Sequence, residues 1–104
     1  MRNQTPFDIG YALASVQLTN GNTVVATTAG DYHGFVILSS SASPTIKIFD
    51  SLTASGKLLD VAIIAATTNY TRTLFIPVKA RLGIYVSITN GTGVQGTVFH
   101  APKG

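Results

Sequence analysis

No cysteine, tryptophan or glutamate occurs among the 104 residues. Without thiols there is neither a disulfide to staple a small fold nor a thiolate set for zinc. Missing Glu removes one of the better helix formers. Charge is scarce too: seven basic and four acidic residues make up 11% of the chain, against 45% apolar ones. That balance excludes a disordered chain, which pairs low hydrophobicity with high charge. The basic residues Arg2, Lys47, Lys57, Arg72, Lys79, Arg81 and Lys103 are scattered, so the net charge of +3 forms no stripe for nucleic acid. No run reaches the ~18 apolar residues of a membrane-spanning helix. Residues 1–6 lack the apolar segment of a secretion signal. The expectation is a protein made in a cytoplasm that binds neither membrane nor nucleic acid.

What is present favours strands. Thr, Val and Ile are abundant, and their branched Cβ atoms restrict helical rotamers and fit a pleated sheet. Residues 1–10, with Pro6 and Gly10, show no periodicity and read as an extended arm. Residues 11–104 read as a single domain of about eight short strands: 11–18, 23–28, 33–39, 45–50, 58–65, 72–78, 82–89 and a last one around 97–99. Turn chemistry separates them, as at Asn20-Gly21-Asn22, Gly30-Asp31, the 39–44 serine and proline stretch, and Asn90-Gly91-Thr92-Gly93. A helix has a claim only on 58–66, whose centre, Val61-Ala62-Ile63-Ile64, is largely β-branched. The fold class expected is all-β, a two-sheet antiparallel sandwich of jelly-roll type. In 82–89, Leu82, Ile84, Val86 and Ile88 share one face by strict alternation.

A sandwich strand with one wet face alternates apolar and polar residues. Several strands here carry apolar residues on both faces. Phe35 and Ile37 oppose Val36 and Leu38, and Ile46 and Ile48 oppose Phe49. Leu74 and Ile76 oppose Phe75, and Tyr85 faces away from Ile84 and Val86. With so little charge elsewhere, this pattern points to outer faces covered by another subunit or partner. A small domain without staples commonly draws its remaining stability from subunits.

The residue types of catalysis do not converge. His33 and His100 fall short of the three or four ligands of a zinc site, and they read as partly exposed sheet or terminal residues. Serines lack a Gly-x-Ser-x-Gly elbow. Gly91-Thr92-Gly93-Val94-Gln95-Gly96 has the spacing of a dinucleotide loop but leads into a strand, so no helix N-terminus awaits a pyrophosphate. Of the four acids, Asp31 and Asp50 read as turn residues capping their own backbone. Asp60, in an apolar strand, is expected to face solvent; turned inward it needs a partner such as Lys47 or Arg72. No catalytic residue, metal ligand or cofactor site is therefore expected, and the protein is read as a non-enzyme.

Three stretches carry a resemblance: Ser43-Pro44-Thr45-Ile46-Lys47-Ile48-Phe49-Asp50, then Gly56-Lys57-Leu58-Leu59, then Gly83-Ile84-Tyr85-Val86-Ser87-Ile88. Over about residues 32–100 the chain resembles small structural proteins of tailed-phage virions, including the capsid decoration (cement) type. The resemblance implies a homotrimer seated on the major capsid protein at the outer surface of the head, with no catalytic residues. The expected interface combines the arm residues Pro6, Phe7 and Ile9, the outward aromatics Phe49, Phe75 and Tyr85, and the basic residues Lys47, Lys79 and Arg81. An extended arm can add main-chain bonds to an exposed strand edge. The alternatives are a tail, fibre or baseplate component and a carbohydrate-binding module, the latter relying on Tyr32, Tyr70 or Tyr85 for its aromatic platform.

Overall fold

The computed structural model describes residues 14–19, 21–38, 42–91 and 93–102, apart from the side chain of Phe75. The expected arm, with Pro6, Phe7 and Ile9, lies outside the described residues, as does the serine run at 39–41. Eight strands follow in order: β1 (Ala14–Thr19), β2 (Gly21–Ala26), β3 (Gly30–Leu38), β4 (Thr45–Asp50), β5 (Lys57–Ile63), β6 (Tyr70–Ala80), β7 (Ile84–Thr89) and β8 (Gln95–Pro102). The 58–66 stretch is a strand, as its branched centre requires.

The strands form two four-stranded antiparallel sheets. The first has the order β1-β8-β3-β6 and the second β2-β7-β4-β5. The pairs β1·β8, β2·β7, β3·β6 and β4·β5 are those of one long hairpin, rolled up so that β8 meets β3 and β7 meets β4. This is a jelly roll. Every connection except β4–β5 carries the chain from one sheet to the other. β1 and β2, for instance, lie in different sheets, and Gly21-Asn22, expected as part of a turn, begins β2.

Alternation places the core. Cross-strand partners share a face, so Val16, Val98 and Phe35 line the inner face of the first sheet, with Leu18 and Ile37 in a neighbouring row. Ile46, Ile48, Ile84, Val86 and Ile88 answer from the second sheet, and all of these except the half-buried Val16 are buried. Two expectations fail along the way. Leu82 does not join its alternating neighbours; it precedes the strand and is 64% exposed. Leu74 packs on the core while Ile76 is 79% exposed. The reason is a register shift: Tyr32 pairs with Val78 but Gly34 with Thr73, so β6 carries extra residues opposite His33 and leaves its alternation there. Gly34 sits at this bulge with φ +123°, and any Cβ there would run into the Arg72 carbonyl oxygen.

One polar cluster ties the sheets together. Asp60 on β5 is aligned with Ile48 and Val86, and so points into the sandwich. Tyr32 on β3, fully buried, donates its hydroxyl to Asp60 Oδ2 at 2.8 Å. Arg72 on β6 reaches Asp60 Oδ1 at 3.3 Å and lies over the Tyr70 ring, 5.6 Å from its centroid. The solvent-facing Asp60 expected from sequence is thus corrected. A carboxylate facing inward is stable only when partnered, and Arg72 from the opposite sheet is one of the two partners that condition required. Burial, and then the bond to the Asp60 carboxylate, push the Tyr32 hydroxyl far above its ordinary range.

Removing one partner leaves a buried charge behind. Arg72→Met is expected to lower stability by about 2 kcal/mol, less than a fully enclosed pair because Arg72 is partly exposed. The triple replacement Tyr32→Phe, Asp60→Leu and Arg72→Met is expected to recover most of that loss in urea titration. An equal or greater loss in the triple variant rejects the account.

Candidate functional site

The two outer faces of the roll differ in chemistry. On the first sheet, Gln17, Thr97, Val36 and Thr71 make one outer row, Ser15, Phe99, Gly34 and Thr73 another, and Thr19, Gln95 and Leu38 a third. This face is mainly neutral and polar. A groove of about 480 Å³ crosses it, lined by Ser15, Gln17, Val36, Leu38, Gln95, Gly96 and Thr97.

The second sheet carries an apolar row on its outer face. Val24, Tyr85, Phe49 and Leu58 stand side by side across all four strands. The next row is Asn22, Ser87, Lys47 and Val61, and beyond it Thr89, Thr45 and Ile63. Val24, Leu58 and Val61 are each close to half exposed, and Ile63 is 76% exposed. Lys47 is the one charged residue in these three rows. Phe49 is largely covered by its neighbours.

The expected interface residues therefore separate. Phe49, Tyr85 and Lys47 come together on the outer face of the second sheet. Lys79 and Arg81 lie elsewhere, at the end of β6, where they line a pocket with Ala29, Gly30, Asp31 and Ala80. Phe75 belongs to β6. Val24, Leu58, Val61 and Ile63 complete the apolar face and were not singled out from sequence. The signal available for two of them was the run Val61-Ala62-Ile63-Ile64, which is too apolar for a strand with a wet face.

The edge of β5 is partly closed to an added strand. Val61 N–H donates to Asp60 Oδ1 at 2.8 Å, and its carbonyl accepts from Arg72 Nη2 at 3.4 Å. Both backbone groups are engaged within the chain, so at this point the face and not the edge is open to a partner.

Asp50 is not the local cap that its turn position suggests. It is buried at the end of β4 and accepts backbone N–H bonds from residues more than thirty positions away. Arg81 N–H reaches both carboxylate oxygens at 3.0 Å, and Leu82 and Gly83 donate to Oδ1 at 2.8 and 3.4 Å. Gly83 has no room for a side chain, since a Cβ would lie 2.6 Å from Ala26 O and 2.7 Å from Leu52 Cδ2. This carboxylate explains why Leu82 leaves the strand pattern: its backbone is drawn onto Asp50. Burial opposes the charge, but the N–H donors of Leu82, Arg81 and Gly83, with Lys57 nearby, outweigh it and hold the Asp50 carboxyl below its ordinary value.

Two of the three tyrosines and one of the two imidazoles depart from expectation, whereas Tyr85 faces outward and His33 is a partly exposed strand residue. Tyr32 is buried and bonded to Asp60, which removes it as a sugar platform, and Tyr70 packs tilted against Phe35 at 5.7 Å. His100 is buried on the inner face, paired with Tyr32, and not partly exposed. Burial, and then nearby His33, lower its pKa. Among the described residues no group of three or more His, Cys, Asp or Glu gathers to hold a metal ion. No family model, curated protein or solved structure matches the chain.

The Asp50 arrangement sets a pH dependence. A carboxyl held low in the folded state stabilises fully above the unfolded value near 4 and loses that contribution as pH falls through the folded value. Asp50→Asn is expected to cost about 2 kcal/mol near neutral pH and to flatten the acid limb of stability against pH. Thermal unfolding between pH 2 and pH 7 measures both. An unchanged acid limb would show that another group controls it.

Proposed function

We propose that the protein is a structural virion protein of a tailed bacteriophage, a capsid decoration protein that seats on the major capsid protein at the outer surface of the head. Its working form is a homotrimer. The observation that carries this reading is the apolar row of Val24, Tyr85, Phe49 and Leu58, four strands wide on the outer face of the second sheet, with exposed Val61 and Ile63 beside it and Lys47 the lone charge in the three rows. A contiguous apolar face on a small charge-poor domain is suited to burial against another protein. The jelly roll is a fold of viral capsid and lectin domains, which supports the class by analogy alone. In this reading the chain performs no chemistry. Its action is mechanical: several weak seats per oligomer add into avid binding that braces the shell.

Light scattering is expected to give a mass of three 10.9 kDa chains. Replacing Val61 and Ile63 by Ser is expected to reduce it to a single chain that still unfolds cooperatively, its midpoint lowered by no more than the subunit contacts contributed, because both side chains are exposed in the single chain. Immunolabelling of particles is expected to mark heads; tails marked instead would favour a tail, fibre or baseplate component. A wild-type chain that stays single and labels no particle overturns the reading.

A second reading, a carbohydrate-binding module, has one observation of its own. The groove on the first sheet is lined by hydroxyl and amide side chains with two aliphatic ones, a lining suited to a neutral, hydroxyl-rich ligand. If that reading holds, a glycan array gives binding that Gln17→Ala and Gln95→Ala abolish. An array without hits retires it.

A further inference from the structure

The basic residues at the end of β6 form a site separate from the apolar face. Lys79 and Arg81 are two residues apart, both exposed, and line a pocket of about 290 Å³ with Ala29, Gly30, Asp31 and Ala80. The buried Asp50 carboxylate pins the Arg81 backbone from both oxygens, which fixes where that guanidinium leaves the chain. Lys79 is paired across the strands with Asp31. Among the described residues the one ion pair joins Arg72 to Asp60, so Lys79 and Arg81 are left without a salt-bridge partner.

We propose that this pocket is a docking site for an acidic protein segment, which places a carboxylate side chain between Lys79 and Arg81. The site deepens the reading of the chain as a subunit seated on a protein shell, and rests on that reading for the partner's being a protein. Charge complementarity selects the occupant. Two cations held on a fixed corner suit a carboxylate, to which a guanidinium can donate two parallel bonds. Asp31 in the wall opposes any anion, and a phosphate of higher charge more than a singly charged carboxylate. Nucleic acid needs an extended basic track, whereas these two residues stand in a small concavity. The described residues of a second copy are a poor source of the acid. Asp50 is enclosed by backbone donors, Asp60 is bound to Arg72 and Tyr32, and Asp31 already lines the pocket. Among the described residues no acid remains free to dock on a neighbour, which favours a different protein as the source of the carboxylate; Asp8 lies outside the described residues.

The test is titration of the isotope-labelled protein with a short oligoglutamate peptide, followed by NMR, with inorganic phosphate and a single-stranded oligonucleotide as parallel probes. The expected result is saturable shifts at the amides of Gly30, Asp31, Ala80 and Arg81 that weaken with added salt. Lys79→Ser with Arg81→Ser is expected to weaken peptide binding by about tenfold or more, and Lys79→Glu alone to do the same. Both positions are exposed, and an unchanged spectrum elsewhere confirms the fold. Absent shifts, undiminished binding by the double variant, or tighter binding of phosphate or oligonucleotide at these amides overturns the proposal. Because the isolated chain is used, failure here leaves particle labelling and oligomer mass untouched, and their failure leaves this result standing.

Discussion

A charged group pointing into a small cysteine-free core has to be answered from within the chain, and here Asp60 is answered from the opposite sheet. Tyr32 and Arg72 reach it from β3 and β6, so the bond that satisfies the carboxylate also joins the two layers. A buried ion pair contributes little net stability once desolvation is counted. What it does supply is specificity. A layer slipped by one residue would turn Asp60 outward and leave the Tyr32 hydroxyl without a partner, so the register of β5 against β4 is penalised for error. The same side chains occupy the backbone of Val61 at the sheet edge, coupling internal registry to protection against stray strand pairing.

With registry set this way, the outer faces acquire distinct characters. One sheet shows glutamine, serine and threonine to its surroundings; the other shows a row of Val24, Tyr85, Phe49 and Leu58 with Ile63 beyond. Neither character is visible in any single strand. Each follows from which strands become neighbours, because a sheet face is a property of four segments drawn from distant parts of the chain.

Asp50 plays at the end of the roll a part similar to that of Asp60 at its middle. It gathers the backbone of residues 81–83, draws Leu82 out of the strand pattern and orients the corner from which Arg81 projects. Two of the four acids are thus occupied in holding the fold. The outside is correspondingly left with more positive charge than the net composition suggests, and this surplus is what an acidic partner would meet.

The eight strands and the inward residues of most of them were legible in the sequence, because period-two alternation acts over a few residues. The turns were less so, since Gly30-Asp31, read as a turn with Asp31 capping it, begins β3, and Gly21-Asn22 begins β2. Phe49 and Tyr85 were legible as outward residues on the same grounds. Three things were not. Asp60 and Asp50 find their partners across the fold, so their local surroundings pointed the wrong way. The bulge at Gly34 that exposes Ile76 depends on how β6 meets β3. The sheet to which each strand belongs depends on pairings such as β1 with β8, at opposite ends of the chain. Local steric preference decides that a segment is a strand and which of its residues share a side. Which strands meet, and so which side chains become a surface, is decided only when burial of the whole core selects one roll among many with the same local signals.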